Sequence, residues 1–515
     1  MAGAVSRRRA ETGTTATAAP AGATPIAAGE TVLATIGGAT LVLLLSRPAF
    51  HAWFFGEAFL YLGQYWGAHE RFWTALFSPS DVSFFKPVCF AASLPWYFLL
   101  PPDPFGYHVR NFVLTVVALA LLHRVLLRVA PVRAARIFAL GLFAASKVHL
   151  TTLGYLMIFD SILMLTFLLA AVLCALRWNA TGAGRDRVFA LGFTLLCAFT
   201  KDYGVVAVAV VAAFVVVRVL DDPAPARRRA FAAWLPPLAL VAVLRIALRW
   251  AVVGAMPWSH PTYAPRFSAD EVGRKALVLL SALTNASYGW HDKTGASGIG
   301  ALVARLAPGV AGGSAADAID AAVGAALVAA LAASVVAARA RMGGRALAPA
   351  AVWIAAFFAP PLFVRNLQIY YAYEPLAGVA IALAIAWSAV GARWRGVAAA
   401  AVALAIVGGF ASNHWAIYDW QYAAARAREI APFVDTHRGS ALRSLSLVTH
   451  DVPFWRWTLA ADDKAPMLEF LLRRPGLPVR IYDRAVLAAA IPPLDPAHVV
   501  LDADAGFAPV AVPRP

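Results

Sequence analysis

Apolar runs of about twenty residues recur along this chain, and the short links between them alternate between arginine-bearing and arginine-poor. A helix needs about 20 mostly apolar residues to cross a hydrocarbon core of about 30 Å. By that measure spans fall at 30–47, 106–128, 134–150, 153–176, 187–200, 204–220, 231–252, 318–338, 347–364, 374–391 and 396–411. The expected fold class is an all-α polytopic membrane protein of about 11 transmembrane helices. One set of links carries Arg128, Arg133 and Arg136, then Arg177, Arg185 and Arg187, then Arg227, Arg228 and Arg229. The same set continues with Arg339, Arg341 and Arg345, and with Arg393 and Arg395. Basic residues concentrate in cytoplasmic loops, so the chain reads as a bacterial inner-membrane protein, N-terminus cytoplasmic and C-terminus extracytoplasmic.

That placement also explains the formal charge of +16 without nucleic acid, because the arginines sit between apolar runs in a chain that is 61% hydrophobic. Cys89, Cys174 and Cys197 lie far apart in apolar surroundings and suggest neither a disulfide framework nor a metal site. Residues 1–28, with Arg7, Arg8 and Arg9, read as a disordered cytoplasmic tail before a signal anchor. Residues 188–220 are apolar apart from Thr200-Lys201-Asp202-Tyr203-Gly204. A single crossing there would put Arg227 to Arg229 outside, so a helical hairpin with Lys201 and Asp202 at its outer turn is expected.

Three regions remain on the outer side. Residues 48–105 form an aromatic first loop whose apolar stretch 84–101 is broken by prolines and reads as an interfacial helix. Residues 253–317 contain an apolar segment near 276–284 that could re-enter the membrane. Residues 412–515 carry strand-like runs at 444–449, 479–483 and 498–502 and read as a small α/β extracytoplasmic domain. The expected division is thus a tail, a transmembrane module over 29–411 and a terminal domain. No internal repeat is visible.

A charge at mid-membrane costs about 2.5–3.5 kcal/mol on insertion scales, so intramembrane ions are candidates for function. Here they crowd one end of the spans. His108, Arg110 and Asn111 open the second; Lys147 and His149 close the third; Asp160 lies about two turns into the fourth. Lys201 and Asp202 cap the hairpin, and Arg365, Tyr370, Tyr371, Tyr373 and Glu374 mark the last outer turn. Snorkelling basic residues and interfacial aromatic belts account for Trp53, Trp66 and Trp73. They account less well for Arg245 and Arg249, one turn apart on an otherwise apolar helix. Such a pair suits a phosphate, whose oxygens match the guanidinium fork. In the first loop stand Glu57, Glu70 and Asp81, acids that face many cations and could include a general base.

The order of these features resembles a family. An acid in the first loop is followed by Phe84-Phe85-Lys86-Pro87, then by Pro104-Phe105-Gly106-Tyr107-His108-Val109-Arg110-Asn111. His149 with Asp160 downstream, Thr200-Lys201-Asp202 and Tyr371-Ala372-Tyr373-Glu374-Pro375 complete the succession. It resembles the GT-C superfamily of membrane glycosyltransferases, particularly bacterial relatives of protein O-mannosyltransferases, over roughly residues 30–411. The resemblance implies a polyprenyl-phosphate sugar donor and a cell-envelope glycan, lipid or protein acceptor, with membrane lipids as the other partner. It implies that Glu57, or alternatively Asp81, is the catalytic acid-base residue. Lys86, His108, Arg110, His149, Asp160, Lys201, Asp202, Arg245, Arg249, Arg365 and Tyr373 are the candidate substrate-binding residues. Relatives carry an acidic pair where this chain has Gly56-Glu57, and an outer His-Pro step where it has Ser146-Lys147. No cofactor is expected; relatives differ in metal dependence, which leaves a divalent metal open, and no metal ligand is assigned. Two other readings remain, a lipid-linked-sugar flippase or transporter and a non-catalytic membrane scaffold.

Overall fold

The computed structural model describes residues 25–52, 85–100, 104–220, 222–256, 267–286, 313–364 and 369–428, a few isolated positions, and four strands beyond them. The chain begins with α1 (Pro25–Ser46) and a 3-10 turn at Arg47–His51, then resumes in α2 (Pro87–Leu99) and α3 (Pro104–Val129). Next come α4 (Arg133–Ala144), α5 (Val148–Gly154), α6 (Phe159–Thr181), α7 (Gly184–Ala198) and α8 (Ala207–Val219). The series continues with α9 (Ala224–Val253), α10 (Ala269–Thr284), α11 (Gly313–Met342), α12 (Ala348–Leu362), α13 (Tyr373–Val390) and α14 (Arg395–Arg428). Prolines stand at the starts of α2 and α3, where a missing N–H leaves no carbonyl unsatisfied. Gly182 and Gly254, both with left-handed backbone, end α6 and α9.

Every apolar run marked in the sequence holds helix. Among the described residues, Ala28–His51, Pro104–Val129, Phe159–Thr181, Ala224–Val253, Ala318–Met342, Gly344–Leu362 and Ile369–Val390 are long and apolar enough to cross a membrane. The protein is multi-pass. The pair α4 and α5, bent by 52°, makes an eighth crossing if it spans as one. The stretch around 84–101 forms α2, a 13-residue helix with Pro95 inside it, too short to span. Residues 188–220 fold as the expected hairpin of α7 and α8.

One expected boundary is corrected. The third and fourth spans do not meet at 150–153. The chain breaks at Ala145–Lys147 and again at Tyr155–Ile158, so Asp160 lies in the first turn of α6 and not two turns into a span. The reason lies on α3, whose side chains approach the carbonyls of this segment: Asn111 Nδ2 donates to Thr152 O (3.2 Å), His108 Nδ1 lies 2.6 Å from Leu153 O, and Arg110 Nη2 donates to Leu156 O (3.3 Å). Backbone carbonyls satisfied by side chains no longer need a continuous helix.

The interior is built around α6 and α13, which are buried along most of their length. Their small residues let neighbours approach closely, as in other membrane bundles. Gly378 of α13 lies flat against Trp353 of α12: a Cβ there would stand 2.8 Å from Trp353 Cδ1 and 3.1 Å from Ile354 Cγ1. Gly378→Val is therefore expected to destabilise the bundle by about 1–3 kcal/mol through overpacking. A thermal melt of the purified protein in detergent checks this, and an unchanged midpoint would refute it. At the other end of the bundle from the hairpin turn, Arg136 of α4 clasps Glu30 of α1 through Nη2 (2.8 and 2.9 Å) and Nε (3.0 Å).

Asn285, fully buried and left-handed, ends α10. Its Nδ2 donates to Ala145 O (2.7 Å) and to Ala405 O, and its Oδ1 accepts from Lys147 N (2.7 Å). Ser146 Oγ donates to Ala282 O and Lys147 Nζ to Ala286 O (3.2 Å), so the α4–α5 break is filled by the end of α10.

The helix expected to end at 411 continues to Arg428. Beyond it, β1 (Ser444–Thr449), β2 (Val479–Asp483), β3 (His498–Asp502) and β4 (Ala508–Pro509) occur at the three expected places and one more. They form a sheet in the order β2-β1-β3-β4, with β1 parallel to both β2 and β3 and β4 antiparallel to β3. Parallel neighbours require crossover connections of a dozen or more residues, and the intervals 450–478 and 484–497 are long enough.

Candidate functional site

Three helix starts or turns converge at one end of the bundle: the first turn of α6, the α7–α8 turn and the first turn of α13. The α7–α8 turn is tight because Gly204 sits against the carbonyl of Cys197, where a Cβ would collide with backbone oxygen. The turn carries Lys201 inward. Its Nζ donates to Ser161 Oγ and lies 3.6 Å from Asp160 Oδ1 and 3.8 Å from Glu374 Oε1. Lys86, from the residue just before α2, reaches the other oxygen of Asp160 at 2.7 Å. Tyr203 Oη donates to Glu374 Oε1 (3.3 Å). Rings of Tyr203, Tyr371 and Tyr370 stand 4.8, 5.3 and 5.4 Å from the Lys201 ammonium.

Lys86, Asp160, Lys201 and Glu374 are all buried. Two cations and two carboxylates so placed offset one another, and the tyrosine faces add further attraction for the ammonium in a medium of low dielectric. Burial, with Glu374 beside it, pushes the Tyr203 phenol well above its usual range, so it remains a hydrogen-bond donor to that carboxylate.

Asp202, the next residue, faces the other way. Its Oδ1 accepts from Arg245 Nη2 (3.0 Å), from Arg249 Nη1 and from the Phe85 N–H (3.4 Å). The expected arginine pair on α9 is therefore present and on one face, but it is not an open fork. Arg245 Nε donates to Ala198 O (2.8 Å), its Nη2 also donates to Phe85 O (2.8 Å), and Arg249 Nε donates to Ala255 O (3.1 Å). The two ionic groups share their backbone, Phe85-Lys86 on one side and Lys201-Asp202 on the other.

No protein-family model and no curated protein matches the chain by sequence. Solved structures do match. The crystal structure of ArnT from Cupriavidus metallidurans bound to undecaprenyl phosphate superposes with a TM-score of 0.51 at 14% identity, covering 93% of this chain and 90% of that chain. At that identity the likeness is one of fold. The Archaeoglobus fulgidus oligosaccharyltransferase, tethered to an acceptor peptide containing the NVT sequon or in the apo form, gives a TM-score of 0.46 in each case. Identity is 12% and 13%, and the match covers 88% of this chain and 63% and 64% of those chains.

Within this fold the remaining sequence candidates divide. His108 places Nδ1 and Nε2 beside the carbonyls of Leu153 and Ala52 (2.6 and 2.8 Å), tying the end of the first 3-10 turn to α5. Arg110 lies over the Phe159 ring at 3.8 Å and donates to Asn111 Oδ1. Both support the segment that delivers Asp160. His149 packs edge-on against Phe143 and Tyr373, at 5.1 and 5.5 Å between centroids, and Tyr373 immediately precedes Glu374. Glu57, Asp81 and Arg365 lie outside the described residues. Among the described residues no three His, Cys, Asp or Glu side chains come together in a way that could hold a metal ion.

Three members of the network, Glu374, Ser161 and Tyr203, were not among the substrate-binding residues expected from sequence. Glu374 is the sole carboxylate of the run 369–391, a signal that could have marked it as a site residue rather than a boundary. Ser161 carries no such signal; only its place beside Asp160 on the first turn of α6 brings it to Lys201.

Proposed function

We propose that the chain transfers a sugar from a polyprenyl-phosphate donor to an acceptor hydroxyl at the extracytoplasmic face of a bacterial inner membrane. The observation that carries this reading is the buried cation–carboxylate network at one end of a GT-C-fold bundle, where membrane charge otherwise has no place. In this reading eleven helices cross the membrane, the network lies on the outer side, and residues 412–515 form the outer domain. ArnT in the matched structure holds undecaprenyl phosphate, a lipid phosphate of the proposed donor's class.

The chemistry needs a base and a place for the leaving phosphate. The acceptor oxygen attacks the anomeric carbon as the bond to the lipid phosphate breaks, and the hydroxyl proton passes to Glu57, or to Asp81 in its place. Negative charge grows on the departing phosphate. Lys86, Lys201, Arg245, Arg249 and Arg365 are the cations assigned to it, working in a setting of low dielectric where fixed charges act strongly. Asp160 and Glu374 keep the two lysines charged and in place, and His108, Arg110, His149, Asp202 and Tyr373 hold the surrounding turns.

The test is incubation of the purified protein with a panel of polyprenyl-phosphate sugars, following release of free lipid phosphate. Release that depends on an acceptor is expected. Movement of the lipid-linked sugar across proteoliposomes with no release would replace transfer by transport, and neither outcome with any donor would leave a scaffold.

A further inference from the structure

The geometry points to Arg245 as a positioning residue: with Asp202 it grips the Phe85 peptide from both sides and so presents Lys86 to the donor phosphate. This rests on the polyprenyl-phosphate reading and changes the part Arg245 plays in it, from phosphate ligand to support.

The Phe85 N–H donates to Asp202 Oδ1 (3.4 Å), and the Phe85 carbonyl accepts from Arg245 Nη2 (2.8 Å). Arg245 and Asp202 also pair with each other at 3.0 Å, closing a loop of three partners around one residue's backbone. The side chain is held as well. The Phe85 ring packs edge-on against Phe199 at 6.1 Å, and the Arg245 guanidinium lies 4.8 Å over the Phe85 ring and 5.6 Å over Phe199. Three residues further, Val88 N donates to Phe199 O (3.2 Å). Arg245 also holds the last carbonyls of α7 through Ala198 O. Arg245 is 2% exposed; its Nε and Nη2 are engaged by Ala198 O, Phe85 O and Asp202 Oδ1, while Nη1 is buried without a hydrogen-bond partner, so the edge of the guanidinium that meets Phe85 serves backbone and Asp202. What it fixes is the φ and ψ path into Lys86, whose ammonium is the part of this step that reaches the network. Lysine at position 245 would keep the charge but lose the planar fork.

Cys89 reports on the grip. It lies in the first turn of α2, three residues beyond Lys86, and packs against Phe159 and Leu163. Burial, with Asp160 nearby, pushes its thiol up to about 12, so the native protein should alkylate there slowly. Arg245→Lys is expected to raise Cys89 alkylation about tenfold by local opening while the rate at Cys174, far along α6, stays unchanged. Mass spectrometry of peptides reads the two sites separately. In transfer assays the same variant should raise the donor KM about tenfold with little change in kcat. Added to Lys86→Ala, it should raise KM no further, because the two act through one contact.

If Arg245→Lys alkylates at Cys89 and Cys174 alike it has unfolded, and Asp202→Asn, uncharged and of the same shape, supplies the measurement. Unchanged Cys89 in a folded variant of an active protein overturns the grip. So does a KM increase that multiplies with that of Lys86→Ala, which marks Arg245 as a direct phosphate ligand. Release of Cys89 in a protein that transfers no sugar at all overturns the glycosyltransferase reading, and with it the purpose assigned to the grip.

Discussion

Glu57→Gln is expected to lower the rate of sugar transfer by about 10²–10⁴-fold, the usual contribution of a positioned general base. Glutamine has the size of glutamate but cannot take the acceptor's proton. Insertion, expression and melting midpoint should stay as they are, since the exchange keeps the size of the side chain. Gly56-Glu57 supplies a single acid where the family resemblance implies a pair, which makes the effect of its loss large. Full transfer by the variant would move the base to Asp81, and Asp81→Asn would then carry the loss.

Asp160→Asn is expected to be the most damaging single exchange for the fold. Two buried ammonium groups, Lys86 at 2.7 Å and Lys201 at 3.6 Å, share this one carboxylate. Removing one partner of a buried ion pair leaves uncompensated charge and costs about 3–5 kcal/mol. Denaturant or thermal unfolding in detergent measures it. Removing Lys86 as well, as Lys86→Met in the same chain, should recover part of the loss, because Lys201 keeps Glu374 at 3.8 Å. A change of less than about 1 kcal/mol on Asp160→Asn would mean that the lysines reach other acceptors or lose their charge.

The sequence was most informative where hydrophobicity sets the answer. Runs of apolar residues and the arginines between them located the helices, and Thr200 to Gly204 marked a turn because a single crossing would have put Arg227 to Arg229 on the outer side. Strand runs at 444–449, 479–483 and 498–502 were legible from β-branched and apolar content. What composition could not reveal is where one helix stops and the next begins inside an apolar stretch. The α4–α5–α6 breaks are made by side chains of α3 and by Asn285, residues that are remote in sequence. The same holds at the site. Arg245 and Arg249 could be placed on one face, yet nothing local foretold that Asp202, 43 residues upstream of Arg245, would occupy them. Glu374 was visible as a lone acid, but its partners Lys201 and Tyr203 lie on the α7–α8 turn, Tyr203 being 171 residues upstream.

Asn285 ties together parts of the chain that meet only in the folded bundle. Its amide moors the exit of α10 to Ala145 and Lys147 in the α4–α5 break and to Ala405 on α14. The kink between α4 and α5 therefore owes its shape to a residue some 140 positions downstream. Asn285→Ala would cast off that mooring, and the kink and the exit of α10 would loosen as one unit.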